Sequence, residues 1–173
     1  RVKIPGYRWD KINHAYAEGG HELSRKAVEA LLGIPMDYFV TIDFGAFHKI
    51  VDAVGGVDID VEKRMYYADP YDNLVIDIQP GLQHMDGKKA IQYVRYRGTD
   101  GDMGRIERQQ KFIKAMLKQV TSAAVIPRLP SIISEISSAV KTDISTGNMV
   151  NLAKVLNEAQ KKGLVTDTIP GKP

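Results

Sequence analysis

The sequence contains no cysteine, which excludes disulfide staples, thiol nucleophiles and cysteine-built metal sites. Histidine is nearly as scarce. His14, His21, His48 and His84 are scattered, with no His-x-x-x-His pair at ligand spacing, so no metal centre is expected among them. No apolar run reaches the roughly 18 residues that a membrane-spanning helix needs, and no signal peptide is visible. Any anchor is therefore expected N-terminal to Arg1. Linkers, repeats and low-complexity tracts are also missing. What is present is 173 residues with 43% hydrophobic content, enough for one globular domain with its own core. A net charge of +3 and a pI near 9.0 suit an anionic surface or substrate.

Hydrophobic periodicity alternates between helix and strand, which predicts an α/β chain. Residues 22–32 read as a helix with Leu23, Ala27, Ala30 and Leu31 facing inward, and 38–42 as a strand. Asp43 is placed to cap a helix carrying Phe44, Phe47, Ile50, Val51 and Val54, which Gly55-Gly56 ends. Residues 57–61 and 74–78 read as strands, the second closed by Pro80-Gly81. Asp86 is placed to cap a helix from Gly87 to about Tyr93. Val94 to Arg97 reads either as its last turn or as an extended exit. Further on, helices are expected over 131–140 and from a Ser145 cap to 162, then a strand over 164–169.

The chemistry concentrates in Arg95-Tyr-Arg97-Gly-Thr-Asp100-Gly-Asp102-Met-Gly-Arg105-Ile-Glu-Arg108-Gln109-Gln110. Four arginines and two aspartates stand in a glycine-broken loop that runs into a helix. Arginine offers a permanently charged fork of donors that matches phosphate oxygens, and a helix N-terminus adds free N–H groups and a positive dipole end. Charged hydrogen bonds of about 1.5–3 kcal/mol each would make a tight site for pyrophosphate. From Gly104 onward, Ile106, Ile113, Met116, Leu117 and Val120 recur at helical spacing, so Arg105, Arg108 and Gln109 share one side of the first turn. Cations oppose the helix dipole there. Either an anion neutralises them, or Arg105 and Arg108 pair with Asp100, Asp102 and Glu107 as a solvated network; the charge pattern leaves both open.

Several segments carry a resemblance: Ile4-Pro-Gly-Tyr7 with Lys11-Ile-Asn13-His-Ala-Tyr16-Ala-Glu-Gly-Gly20, Asp37-Tyr-Phe-Val40 with Phe44, and Val54-Gly-Gly-Val-Asp-Ile-Asp-Val61. Met85-Asp-Gly-Lys-Lys-Ala-Ile-Gln-Tyr-Val-Arg-Tyr-Arg97 and the run from Asp102 to Gln110 complete the series. In this order the chain resembles the LytR-CpsA-Psr family over most of its length. The resemblance implies a layered α/β/α fold with a central mixed sheet flanked by helices, as a single domain over 1–173. It implies an extracellular, membrane-anchored phosphotransferase, mostly of Gram-positive bacteria. Such enzymes move a glycopolymer (wall teichoic acid, capsule or a related polysaccharide) from an undecaprenyl-pyrophosphate carrier to peptidoglycan. Arg97 and Arg105 match the family's pyrophosphate-gripping arginines. Asp102 matches the acid beside them, as a base for the incoming hydroxyl or an orienter of the arginines. Arg95, Arg108 and Gln109 match further positions of the same pocket. The family's Pro-Arg-Asp-Thr run and its Mg²⁺-holding aspartates are expected N-terminal to Arg1, so the chain reads as a truncated domain, inactive alone, with elements also expected beyond Pro173.

Weaker signals remain. Lys11 and Asn13 suit local turn bonding or packing as well as substrate contact. Tyr66-Tyr67-Ala-Asp69-Pro-Tyr71-Asp72 is a polar aromatic stretch that reads first as a plain surface loop and second as a sugar-stacking element. The Phe44–Val54 stripe reads first as core and second as a lining for a prenyl tail. A nucleic-acid partner is not expected: nothing reads as a helix-turn-helix, and the basic residues sit at one loop with acids among them. A non-catalytic wall-binding module and a pyrophosphatase on the same lipid use the same grip, and sequence does not separate them from a transferase.

Overall fold

The computed structural model describes residues 1–69 and 74–163. The expected strand over 164–169 and the residues Tyr71 and Asp72 lie outside them. The chain divides into two compact units, Arg1–Thr41 with Val140–Ser145, and Ile42–Ala139 with Thr146 onward.

In the first unit, β1 (Val2–Lys3) and β2 (Trp9–Asp10) pair antiparallel, and α1 (His14–Leu32) follows. The helix begins eight residues before the expected start at Glu22 (22 − 14 = 8) and is broken by non-helical backbone at Gly19 and Gly20. Sequence periodicity detects only the part after this break. Ile4, Ala15 and Ala27 form the small core, with Leu23 packed on it. Ala30 and Leu31 do not join it; they line an open groove with Val2, Pro5 and Trp9. The expected strand over 38–42 shrinks to β3 (Val40–Thr41), paired with β8 (Lys141–Thr142). Side chains reinforce that pairing, since the Thr142 hydroxyl donates to the Phe39 carbonyl and Asp143 accepts from the Phe39 N–H.

The second unit holds the site. α2 (Phe44–Ala53) is capped as expected, Asp43 accepting from the Ala46 N–H at 2.7 Å. At its other end the Gly56 N–H returns to the Val51 carbonyl at 2.8 Å, closing the helix with a left-handed glycine. Four strands follow: β4 (Val57–Val61), β5 (Met65–Asp69), β6 (Leu74–Ile78) and β7 (Gly81–Met85). β4 pairs with β7 outside and β5 with β6 inside, both antiparallel. Together they form one long hairpin arm, and its two strands part where residues 62–64 face only 79–80. This extra residue is a bulge, and Pro80, lacking an N–H, sits at the break. The described strands thus pair as four two-stranded antiparallel ladders, where a central mixed sheet was expected. The α/β class holds. The arm exists because inward positions Val57, Ile59, Val61, Met65, Ile76, Ile78 and Met85 are all buried while alternate residues face out.

α3 (Gly87–Arg95) is capped by Asp86, which accepts from the Lys89 N–H at 2.8 Å. Its first residue must be glycine, because a Cβ there would lie 2.5 Å from the His48 carbonyl oxygen on α2. α4 (Gly101–Val120) lies along β4 and α3. Tyr93 and Tyr96 from α3 and its exit, Phe112 from α4, and the arm's inner face make the main core, with Phe47 against Phe112 at 5.1 Å between ring centres. α5 (Leu129–Ile136), after a 3-10 turn at Ile126–Arg128, and α6 (Thr146–Lys161) complete the unit. α5 starts two residues earlier than expected (131 − 129 = 2), since Pro130 suits a first turn.

Candidate functional site: an arginine-lined cleft

α3 runs through Arg95, and Tyr96 then turns to extended backbone with ψ 132°. Both sequence alternatives are therefore partly right: Val94 and Arg95 are the last helical turn, and Arg97 leaves it. Arg95 suits that place, as a cation at a helix C-terminus, and its guanidinium lies 4.6 Å over the Phe44 ring. This gives Phe44, 60% exposed, a surface role, whereas Val51 and Val54 of the same stripe are buried core.

α4 begins at Gly101, ahead of the expected Gly104, so Asp102 stands in its first turn, where a carboxylate complements the dipole. One Asp102 oxygen reaches two arginines: Arg105 Nη2 at 3.2 Å and Arg97 Nε at 3.6 Å. Arg97 and Asp102 are largely in water and Arg105 is mostly covered. The Nε of Arg105 is buried without a hydrogen-bond partner, an unsatisfied donor on a charged group.

Arg95, Arg97, Arg105 and Gln109 line a single cleft of about 340 Å³, together with Tyr67, Asp69, Ile76 and Val94. The Gln109 amide donates to the Val94 carbonyl at 3.3 Å, bracing α4 against α3 at its floor.

Arg108 is elsewhere. It is 4% exposed, turned into the core stripe of α4 that Gly104, Arg108 and Phe112 make at four-residue spacing. Its Nη1 donates to Asp100 Oδ2 at 2.7 Å and its Nη2 to the Tyr96 carbonyl at 2.8 Å. The guanidinium also lies 5.0 Å over the Tyr96 ring. Arg108 therefore fastens the 96–100 loop to α4, and does not share a side with Arg105 and Gln109. The expected stripe holds at Met116 and Val120, which pack against the core, and fails at Ile113, 52% exposed; Phe112, four residues after Arg108, marks the inner face there.

Lys63 lies 3.5 Å from the same Asp100 oxygen. The Arg108 hydrogen bond, chiefly, holds the Asp100 carboxyl below the ordinary value. Gly104 makes the arrangement sterically feasible, since a Cβ there would fall 1.9 Å from Asp100 Oδ2. Next to this buckle, burial tends to raise Glu62, but a hydrogen bond from Lys111 brings its carboxyl below normal. The expected carboxylate pairing is thus present at both arginines of the turn, Arg108 with Asp100 and Arg105 with Asp102, and Arg105 also lines the cation-rich cleft with Arg97.

The sequence reading underweighted Tyr67 and Asp69. They were expected in a loop but sit on β5, two residues apart and hence on one face; no apolar–polar alternation over residues 65–69 marks the strand. Lys11 and Asn13 lie in the first unit, outside this cleft. Among the described residues no group of three His, Asp or Glu side chains can hold a metal ion, and none of the helices is long and apolar enough to cross a membrane.

Comparison with known proteins agrees with the sequence resemblance. The model of the LytR_cpsA_psr family matches residues 1–173. "Probable cell wall biosynthesis protein LcpB" of Corynebacterium glutamicum is 39% identical over 171 residues, 98% of this chain and 40% of that protein. "Polyisoprenyl-teichoic acid–peptidoglycan teichoic acid transferase TagU" of Enterococcus faecalis is 36% identical over 155 residues, 88% of this chain and 49% of that protein. The crystal structure of Bacillus subtilis TagV superposes with a TM-score of 0.85 at 31% identity, covering 99% of this chain and 67% of that one. The chain spans two fifths to one half of the length of these curated relatives.

Proposed function

From the premise that this chain belongs to the LytR-CpsA-Psr family, we propose that it carries the pyrophosphate grip of a glycopolymer–peptidoglycan phosphotransferase. The observation that carries this reading is the cleft itself, where Arg95, Arg97, Arg105 and Gln109 face one space and Asp102 touches two of the arginines. TagU is named for transfer from a polyisoprenyl carrier to peptidoglycan, chemistry that this grip suits.

The reaction follows from the charges. A peptidoglycan hydroxyl oxygen bonds to the phosphorus next to the polymer's first sugar, and the bond from that phosphorus to the bridging oxygen breaks. The polyprenyl phosphate leaves with the electron pair, and the hydroxyl proton passes to Asp102 and then to solvent. Arg97 and Arg105 neutralise the charge on the transferring and leaving phosphates, and a carboxylate beside them accepts a proton from a neutral nucleophile. Asp102 holds both arginines until the substrate takes them. Mg²⁺ would further screen the diphosphate, and among the described residues no group of three His, Asp or Glu side chains can hold it. The same proposal puts the protein at the outer face of the cytoplasmic membrane, with polyprenyl-pyrophosphate-linked glycopolymer and peptidoglycan as partners and the membrane reached through an anchor outside this chain.

The test is titration of the full-length protein with geranyl pyrophosphate, paired with an assay of polymer attachment. Arg97→Ala and Arg105→Ala each lose roughly ten- to a hundredfold in affinity, the equivalent of one charged hydrogen bond, with melting temperatures near that of the parent. Asp102→Asn binds the diphosphate at least as tightly as the parent and loses attachment. Undiminished binding in both arginine variants would sink the proposal. Polymer phosphate released into solution, with none on peptidoglycan, would convert the assignment to a hydrolase.

A further inference from the structure

Resting on the pyrophosphate reading of the same cleft, we infer that Tyr67 and Asp69 form its sugar-recognising wall, contacting the pyranose directly attached to the diphosphate. Three observations converge on this. First, the two residues stand on one face of β5, and that face, buried at Met65, opens over the cleft at Tyr67 and Asp69. Tyr66, on the opposite face, lies under Arg64 with the cation 5.4 Å from its ring centre. The aromatic pair is therefore split, and only Tyr67 belongs to the site.

Second, the wall is fixed in place. Tyr67 sits opposite the fully buried Ile76 in the β5–β6 ladder. The Gln92 amide of α3 donates to the Val75 carbonyl at 3.1 Å, tying the arm to the helix that carries Arg95. The Tyr67 hydroxyl donates to Asp69 Oδ2 at 3.3 Å, which orients the ring and the carboxylate together.

Third, the chemistry is wrong for phosphate but right for a sugar. A carboxylate opposes an anion, and the one donor on the Tyr67 ring, its hydroxyl, is directed to Asp69. A pyranose presents C–H faces that pack on an aromatic ring and hydroxyls that donate to a carboxylate, which is acceptor-only when ionised. The arginines take the diphosphate, so the neutral ring bonded to the second phosphate is left to Tyr67 and Asp69, which line the same cleft. At about 340 Å³ the cleft is near the lower end of the roughly 300–1,000 Å³ range of ligand sites, sized for a head group and not for a long prenyl chain.

The experiment compares three probes on the full chain: geranyl diphosphate, and geranyl diphosphate bearing glucose or N-acetylglucosamine on its second phosphate. The parent protein binds at least one sugar-bearing probe about fivefold more tightly than the bare one. Tyr67→Ala removes that gain and Tyr67→Phe keeps most of it; Asp69→Asn reduces it. Arg97→Ala weakens all three probes alike. A sugar that adds nothing to the parent's affinity, or a gain that survives Tyr67→Ala, overturns the inference while leaving the pyrophosphate grip intact. A parent that binds no diphosphate probe overturns the grip instead, and the sugar wall with it. In the attachment assay, Tyr67→Ala raises KM for the lipid-linked donor; a rise confined to the peptidoglycan acceptor would overturn the assignment to the donor sugar.

Discussion

Replacing Arg108 by alanine separates a structural arginine from the ligand-gripping ones. Arg108 has 5% of its side chain exposed and ends on two oxygens, Asp100 Oδ2 at 2.7 Å and the Tyr96 carbonyl at 2.8 Å. Breaking a buried charge pair by removing one partner costs about 3–5 kcal/mol. Here the loss falls at the low end, about 3 kcal/mol, because Asp100 stays 29% exposed and keeps Lys63 at 3.5 Å. For a chain of this size each kcal/mol moves the melting temperature by about 2–4 °C, so Arg108→Ala melts about 6–12 °C lower. Scanning calorimetry of this variant beside Arg97→Ala reads the contrast, since Arg97 is largely in water and its loss stays within about 0.5 kcal/mol. A second readout is the Asp100 carboxyl. Its folded value lies below the ordinary 3.8 chiefly through Arg108's hydrogen bond, so its contribution to stability is present above about pH 4 and fades on acidification. In Arg108→Ala the carboxyl returns toward 3.8 by carbon-detected titration and that part of the acid sensitivity disappears. An unchanged melting temperature together with weakened geranyl pyrophosphate binding would refute the reasoning and return Arg108 to the phosphate grip.

Two further outcomes follow from local geometry. Gly87→Ala sets a Cβ 2.5 Å from the His48 carbonyl oxygen and 2.6 Å from its Cα; backbone cannot swing aside, so the urea midpoint falls by the equivalent of about 1–3 kcal/mol with an unchanged slope. Asp10 accepts hydrogen bonds from the His14 side chain and the Lys11 N–H, and these hold its carboxyl down at about 2. Its stabilising effect is complete above the ordinary 3.8 and is lost as pH falls toward 2; His14→Ala moves the measured value up, and a value that stays near 2 would discount the histidine.

What could be read from the sequence was local. Asp43 and Asp86 cap α2 and α3 through N–H groups three residues ahead, and Gly56 closes α2 onto a carbonyl five residues back; such contacts are written in short spacings. Strand pairing was not. β4 meets β7 across some twenty intervening residues, and β5 was hidden because Tyr66, Tyr67 and Asp69 are all at least partly exposed, leaving no alternation of burial to detect. Arg108 escaped for the opposite reason. An arginine breaks an apolar stripe on paper, whereas in the fold its charge is spent on Asp100 and Tyr96 and its stem joins the core. Arg97 and Arg105 of the cleft, with Asp102 bridging them, were legible as a cluster because one turn and one loop bring them together, but Tyr67 and Asp69 come from a strand some thirty residues away.

The Asp102 bridge has a consequence for selectivity. With Arg97 and Arg105 already shared by a tethered carboxylate, the cleft has its own competitor beside it at a high effective concentration. A single-charged ion such as chloride or acetate gains little by displacing it. A diphosphate, bringing several oxygens at once, engages both guanidinium groups and outbids the tether, so the cleft discriminates by valence before it discriminates by shape. Removing the carboxylate should therefore make the cleft greedier and less choosy, binding simple anions that the intact protein ignores.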